Sequence, residues 1–291
     1  MSDEGRFAAG WLSLRERADH QARSPRLTGH ASDWLRRRRR DGDPLSLVDL
    51  GCGTASNPAY LAERLPGPQR WRLVDHDPAL LAQAGSRLGR LVDEDGRATE
   101  WSCDRQPLTP LSPALLDGAD LVCASALFDL VSCDWAERLV RACAERRLAA
   151  LFTLSVTGDW AFIDSRGQRR EDGEDRWARD GVIAHQRRDK GFGPALGGDA
   201  PAALSEAFAA HGYAVSSAAS PWRLPPGRVE SRTLGSALLA GWGDTLHEQY
   251  PDDRERADAW LEERHAALEA GELGIEIDHI DLFAEPGEAQ S

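Results

Sequence analysis

The segment Leu47-Val48-Asp49-Leu50-Gly51-Cys52-Gly53-Thr54 constrains the chain more than any other stretch. An apolar run ends in an acidic residue, two glycines flank a small residue, and a helix-like segment follows. A buried parallel strand that turns tightly beneath a nucleoside and feeds into a helix has this pattern. Glycine lets the backbone reach positive φ cheaply and approach a ligand where a Cβ would clash. Further along, Arg72-Leu73-Val74-Asp75-His76-Asp77-Pro78 is again a strand ending in a carboxylate. Nucleotide-binding folds place there the group that grips ribose hydroxyls.

Together the two segments resemble class I S-adenosylmethionine (SAM)-dependent methyltransferases. In that family the first strand reads roughly [DE]-x-G-x-G-[ST], filled here by Asp49, Gly51, Gly53 and Thr54, and the second ends in the ribose-binding acid, here Asp75. Where many members carry a third glycine, this chain has Ala55. A nicotinamide fingerprint fits less well, because G-x-G-x-x-G would require glycine at Ser56. The resemblance implies an α/β, Rossmann-like fold with a mostly parallel seven-stranded sheet and helices on both faces. It also implies S-adenosyl-L-methionine as cofactor. Asp49 and the Gly51–Gly53 turn would hold the methionine end, Asp75 the ribose and Asp104 the adenine. His76 would lie against the adenine ring, and Ser125, at the end of strand four, beneath the methionine.

The alternation of elements agrees with this class. Strands are expected at 45–50, 71–74, 98–103, 120–126 and 148–155, with helices near 57–65, after Asp77-Pro78, and at 134–147. Asp77 is a plausible N-cap with Pro78 at the first helical position. Residues 7–40 read as helical with a break at Ser24-Pro25, and the resemblance implies that such a pair lies over the cofactor mouth. Four regions follow: a helical cap over 1–44, a cofactor-binding core over 45–157, an insertion or lid over 158–198, and completion of the sheet with a helical insert over 199–291. The insertion is inferred from its acids, arginines and glycines and its few aliphatics. Beyond it, a sixth strand is expected at 213–219 and a last, antiparallel one at 273–284, with helices at 201–211, 229–242 and 252–270.

Composition narrows the partners. The net charge of −13 disfavours a nonspecific grip on nucleic acid. The arginine run Arg36 to Arg40 is the local exception, read as a solvated helix end where cations suit the dipole. No apolar run reaches the ~18 residues of a membrane span, and Met1 to Arg6 has no secretory character, so no membrane partner and a cytoplasmic location are expected. The five cysteines form no C-x-x-C pair, and Cys52, Cys103 and Cys123 are expected as small buried thiols. The eight histidines show no zinc spacing, so no metal is expected.

Methyl transfer from a sulfonium needs little side-chain chemistry beyond alignment, so a catalytic residue need not exist. The candidates are Asp129, in Phe128-Asp129-Leu130-Val131 just beyond strand four, and His185 and Lys190, in the basic, glycine-rich run His185 to Pro194. Lys190 is the single lysine beside 34 arginines. His185 is a possible base, and Arg187 or Lys190 a possible anion binder. Trp135, Trp160, Trp177 and Trp222 either wall a pocket or fill the core. Strand four lacks the [DN]-P-P-[YFW] motif of enzymes methylating exocyclic base amines or glutamine amides. The expected acceptor is a small molecule, methylated on oxygen or nitrogen. RNA or protein methylation, and SAM binding without turnover as a sensor or partner subunit, are the alternatives.

Overall fold

The computed structural model describes residues 9–39 and 42–287. Met1 to Arg6 and Arg40 lie outside the described residues. Two helices, α1 (Ala9–Ala22) and α2 (Pro25–Arg38), precede the sheet. Ser24 caps α2 by accepting from the Leu27 amide, and Pro25 opens it, which is the chemistry behind the break between them.

Five strands then run parallel: β1 (Leu45–Leu50), β2 (Gln69–Asp75), β3 (Glu100–Arg105), β4 (Leu121–Ser125) and β5 (Ala149–Ile163). Between them lie α3 (Ser56–Leu61), α4 (Pro78–Leu88) and α5 (Cys133–Arg146). After β5 come β6 (Arg169–Arg170), α6 (Gly173–Gln186), α7 (Ala200–Ala210), β7 (Tyr213–Ala219), β8 (Trp222–Leu224), α8 (Val229–Gln249), α9 (Arg254–Glu269) and β9 (Gly274–Pro286). The strand order is β3-β2-β1-β4-β5-β9-β7, with β9 antiparallel to both neighbours. β1 is covered on both faces, which is why it reads as a continuous apolar run. One apolar layer joins the sheet to α5 and α7, and a second joins it to α2, α3 and α4.

The region after β4 departs from the sequence expectation. β5 does not stop at 155 but continues to Ile163 beside β9, with register shifts between Phe152 and Ser155 and between Val156 and Trp160. These bulges interrupt the alternation that marks a strand. Residues 173–186 form α6, opened by a capping box between Asp172 and Asp175, and pack on α8. A third core results. In it Trp160 stacks on Trp242 at 4.1 Å and 17°, and Trp160 also meets Phe162 and Trp260. Trp135, Trp160 and Trp222 are therefore buried core residues, and Trp177 stacks on Tyr250. A further correction concerns Cys103. It is exposed, because β3 is the edge strand and its residues are mostly exposed.

The basic runs are paired within the molecule. Arg36 meets Glu94, Arg37 meets Glu285, and Arg38 donates to the Arg147 carbonyl. No helix among the described residues is long and apolar enough to cross a membrane.

Candidate cofactor site

The sheet order reverses between β1 and β4, and a cavity of about 440 Å³ opens at the carboxyl ends of these strands. Open α/β sheets bind ligands at this kind of switch point. The β1–α3 turn forms its floor. Gly51 and Gly53 have φ of 65° and 53°, and Ala55, at φ 63°, caps α3. The Cys52 amide bonds the Val74 carbonyl, tying the turn to β2. A Cβ on Gly53 would stand 3.1 Å from Leu12 of α1, so the first helix lies directly over the turn. Glu16 fastens that helix to α4 through Arg87 at 2.6 Å.

Asp75 ends β2 with both carboxylate oxygens engaged. Oδ2 accepts from the Gly53 amide at 2.9 Å and Oδ1 from the Asp77 amide at 2.9 Å. Asp77 caps α4 as its sequence suggests. Exposed His76 lines the cavity, its Nδ1 3.4 Å from Asp75 Oδ1. Thr54 and Ser125 line it too.

Asp49 is 1% exposed. Its Oδ1 accepts from Asn57 Nδ2 at 2.5 Å, and Asn57 Oδ1 accepts from buried Arg23 at 2.7 Å. Its Oδ2 faces no partner among the described residues, although Asp49 borders the cavity. Burial pushes its carboxyl up to about 7, against the pull of the Asn57 hydrogen bond and the Arg23 charge. A buried acceptor left open toward a cavity is where a ligand donor belongs.

Of the predicted residues, the structure brings Asp49, Gly51, Gly53, Thr54, Asp75, His76, Ser125 and Lys190 to one cavity. Three expectations are corrected. Asp104 does not border it. β3 runs on to Arg105, and Asp104 pairs with Arg72 at 2.6 Å, while Pro107, Leu108 and Thr109 reach the cavity instead. His185 ends α6 and meets Glu248 of α8 at 3.0 Å, away from the cavity, because α6 packs on α8. Asp129 is half-buried beside the cavity rather than along it. Its backbone carbonyl accepts from Gly197, and burial raises its carboxyl while Arg15 draws it down.

Sequence reasoning missed Arg15, Asp19, Arg23 and Asn57, all of which line the cavity. Their signal was present in part: Arg15, Asp19 and Arg23 recur at four-residue spacing on a helical segment, which places them on one face.

This sheet order, its reversed strand and the N-terminal helices over the glycine turn define the class I methyltransferase fold. No protein-family model matches the chain, and no curated protein matches it. Solved structures are similar at low identity. A cyclopropane-fatty-acyl-phospholipid synthase-like protein from Lactobacillus casei superposes with a TM-score of 0.55 at 15% identity, over 96% of this chain and 94% of that one. A SAM-dependent methyltransferase from Thiobacillus denitrificans, solved with S-adenosyl-L-homocysteine, gives 0.45 at 14% identity, over 96% and 99%. The cyclopropane synthase MmaA2 from Mycobacterium tuberculosis gives 0.44 at 11%, over 88% and 82%. The first of these likenesses supports the fold.

Proposed function

We propose that the protein is a SAM-dependent methyltransferase acting on a small-molecule acceptor. The observation that carries this reading is the unpartnered, buried Asp49 Oδ2 bordering the same cavity as the Asp75-braced glycine turn. A cationic amino group suits the first, and vicinal ribose hydroxyls suit the second. When bound, SAM supplies a methyl group already activated by the sulfonium charge. The chain's own residues bind and orient: Asp49 receives the amino group, Asp75 the ribose, and Pro107 and Leu108 offer an apolar surface for the base. Leu12, above the turn, excludes water. A small acceptor is supported because most arginines of the two basic runs are engaged by the protein's own groups. Arg36 and Arg37 pair with glutamates, Arg187 with Asp199, and Arg188 with Glu248.

Calorimetry with SAM and S-adenosylhomocysteine (SAH) tests the reading, followed by transfer of label from methyl-tritiated SAM into metabolite extracts. Micromolar binding and label in a small molecule are expected. A folded protein that binds neither nucleoside would sink the proposal, and binding without any turnover would leave a sensor or partner subunit.

Asp49 also makes the binding pH-dependent. Its carboxyl titrates near 7 in the free protein, against an ordinary value of 3.8. The folded free protein therefore holds a proton, between those two values, that the unfolded chain has lost. Stability from this group is fully present at low pH and declines as pH rises toward 7. A bound ammonium favours the carboxylate and reverses the preference. SAH affinity is expected to rise roughly tenfold from pH 6 to pH 7.5 and then level off. Titrations near pH 6 in buffers of different ionisation enthalpy should show a proton released on binding, and none for Asp49→Asn.

A further inference from the structure

The cavity carries more chemistry than the cofactor residues use. Leu12, Leu130 and Phe192 give it an apolar wall, and Arg15 and Lys190 bring two cations. Lys190 is held by a built turn: Asp189 Oδ1 accepts from the amides of Gly191 at 2.7 Å and Gly193 at 3.0 Å. The two glycines have φ of 95° and 89°, which lets the chain curl around that carboxylate. Phe192 anchors the turn, its ring edge-on to buried Trp135 at 5.8 Å.

The neighbouring cations of this loop are paired, Arg187 with Asp199 and Arg188 with Glu248, and Arg188 also donates to Gln249. Half-buried Lys190 has no hydrogen bond or ion pair among the described residues. Arg15 is only partly engaged. Asp19 accepts from its Nε and Nη2, Trp222 lies under its guanidinium at 4.9 Å, the Asp129 carboxyl also feels its charge, and its Nη1 has no hydrogen-bond partner among the described residues. The Asp19 carboxylate is in turn occupied by Arg15 and by Trp222 Nε1 at 3.1 Å, so it offers little to an incoming cation.

We infer that the acceptor is an apolar molecule bearing a carboxylate, which Lys190 receives beside Arg15. One unpaired cation and one partly neutralised cation match a single negative charge. A neutral apolar acceptor would take water from Lys190 and return no counter-charge, which costs free energy. A cationic acceptor would be repelled. The inference rests on the proposed function, since it assigns the remainder of the cavity once Asp49 and Asp75 hold the nucleoside.

The test is calorimetry of the SAH-loaded protein with hexanoate, benzoate and indole-3-acetate, each beside its own amide. At least one acid is expected to bind ~10-fold or more tightly than its amide, a difference of about 1.4 kcal/mol. Lys190→Met should bring that pair within about threefold, and Lys190→Arg should restore the preference. SAH affinity, measured in the same variants, reports that they are folded. If SAH binds but no acid is preferred, or if the preference survives Lys190→Met, the inference is overturned and the proposed function stands. If the wild type binds no SAH, the proposed function fails and takes the inference with it.

Discussion

Asp75→Ala is expected to weaken SAH binding at least about 100-fold while leaving a folded protein. The side chain is 7% exposed and braces two backbone amides, one on the glycine turn and one at the start of α4. A carboxylate has room for about four hydrogen bonds, so these two leave capacity for ribose hydroxyls. Hydrogen bonds to a charged acceptor contribute roughly 1.5–3 kcal/mol each. Losing two to the ribose, with the turn loosened besides, comes to about 3 kcal/mol or more, which is the expected ~100-fold. Asp75→Asn keeps one acceptor oxygen and should lose roughly tenfold. Calorimetry beside far-ultraviolet circular dichroism measures both quantities. Binding by Asp75→Ala within a few-fold of wild type would show that this carboxylate grips no ribose and that the cavity serves another ligand.

The largest stability effect is expected at a residue remote from the chemistry. Asp281, on β9, is 1% exposed and accepts three hydrogen bonds. They come from the Ser24 amide at 2.8 Å, the Leu154 amide at 2.9 Å and Ser220 Oγ at 2.7 Å. Leu154 is the left-handed residue of the first β5 bulge, with φ 56°, a conformation that costs a branched side chain of order 1–3 kcal/mol. Ser24 joins the two cap helices. Asp281 also lends negative charge to buried Arg23, whose own burial draws its guanidinium downward. Alanine there strands two buried amides and removes counter-charge from a buried cation. The expected loss is about 3–5 kcal/mol, a fall in melting temperature of roughly 5–8 °C for a chain of this length. Differential scanning calorimetry checks it. A shift below ~2 °C would mean that water replaces the carboxylate and that the bulge needs no clamp.

Much of the candidate site's local geometry was legible because its physics is local. A buried strand, a positive-φ turn and a carboxylate at the next strand end are each written within a few residues, so Asp49, Gly51, Gly53, Asp75 and the Asp77 cap could be read directly. β7 was bounded at Tyr213–Ala219 for the same reason. What failed depended on distant partners. Asp104 follows a segment read as a strand in the sequence, but β3 is an edge strand that runs on to Arg105, and Asp104 pairs with Arg72 of the neighbouring β2. His185 stood in a basic run that resembled a lid. The capping box at Asp172 and the packing of Gly181 against Tyr250 and Leu246 make the segment before it a helix seated on α8. The long β5 was hidden by two bulges, the first of them held by Asp281 far along the chain. Arg23 carried no recognisable motif, and its relation to Asp49 passes through Asn57, which only the fold supplies.

The bond between Ser24 and Asp281 spans 257 residues, and it bears on the order in which the molecule is assembled during synthesis. β1 to β4 follow one another closely and can pair as they emerge. The junction between α1 and α2, although made 257 residues earlier, waits for β9, because its buried amide lacks the Asp281 acceptor until then. At ~5–20 residues per second of translation, that wait is on the order of tens of seconds. Through it the apolar underside of α1 and the partner face of β5 stay uncovered. The nascent chain is thus more exposed to aggregation before β9 emerges, when the β1–α3 turn and Asp75 already frame one half of the cavity and the helix that roofs it is not yet locked down.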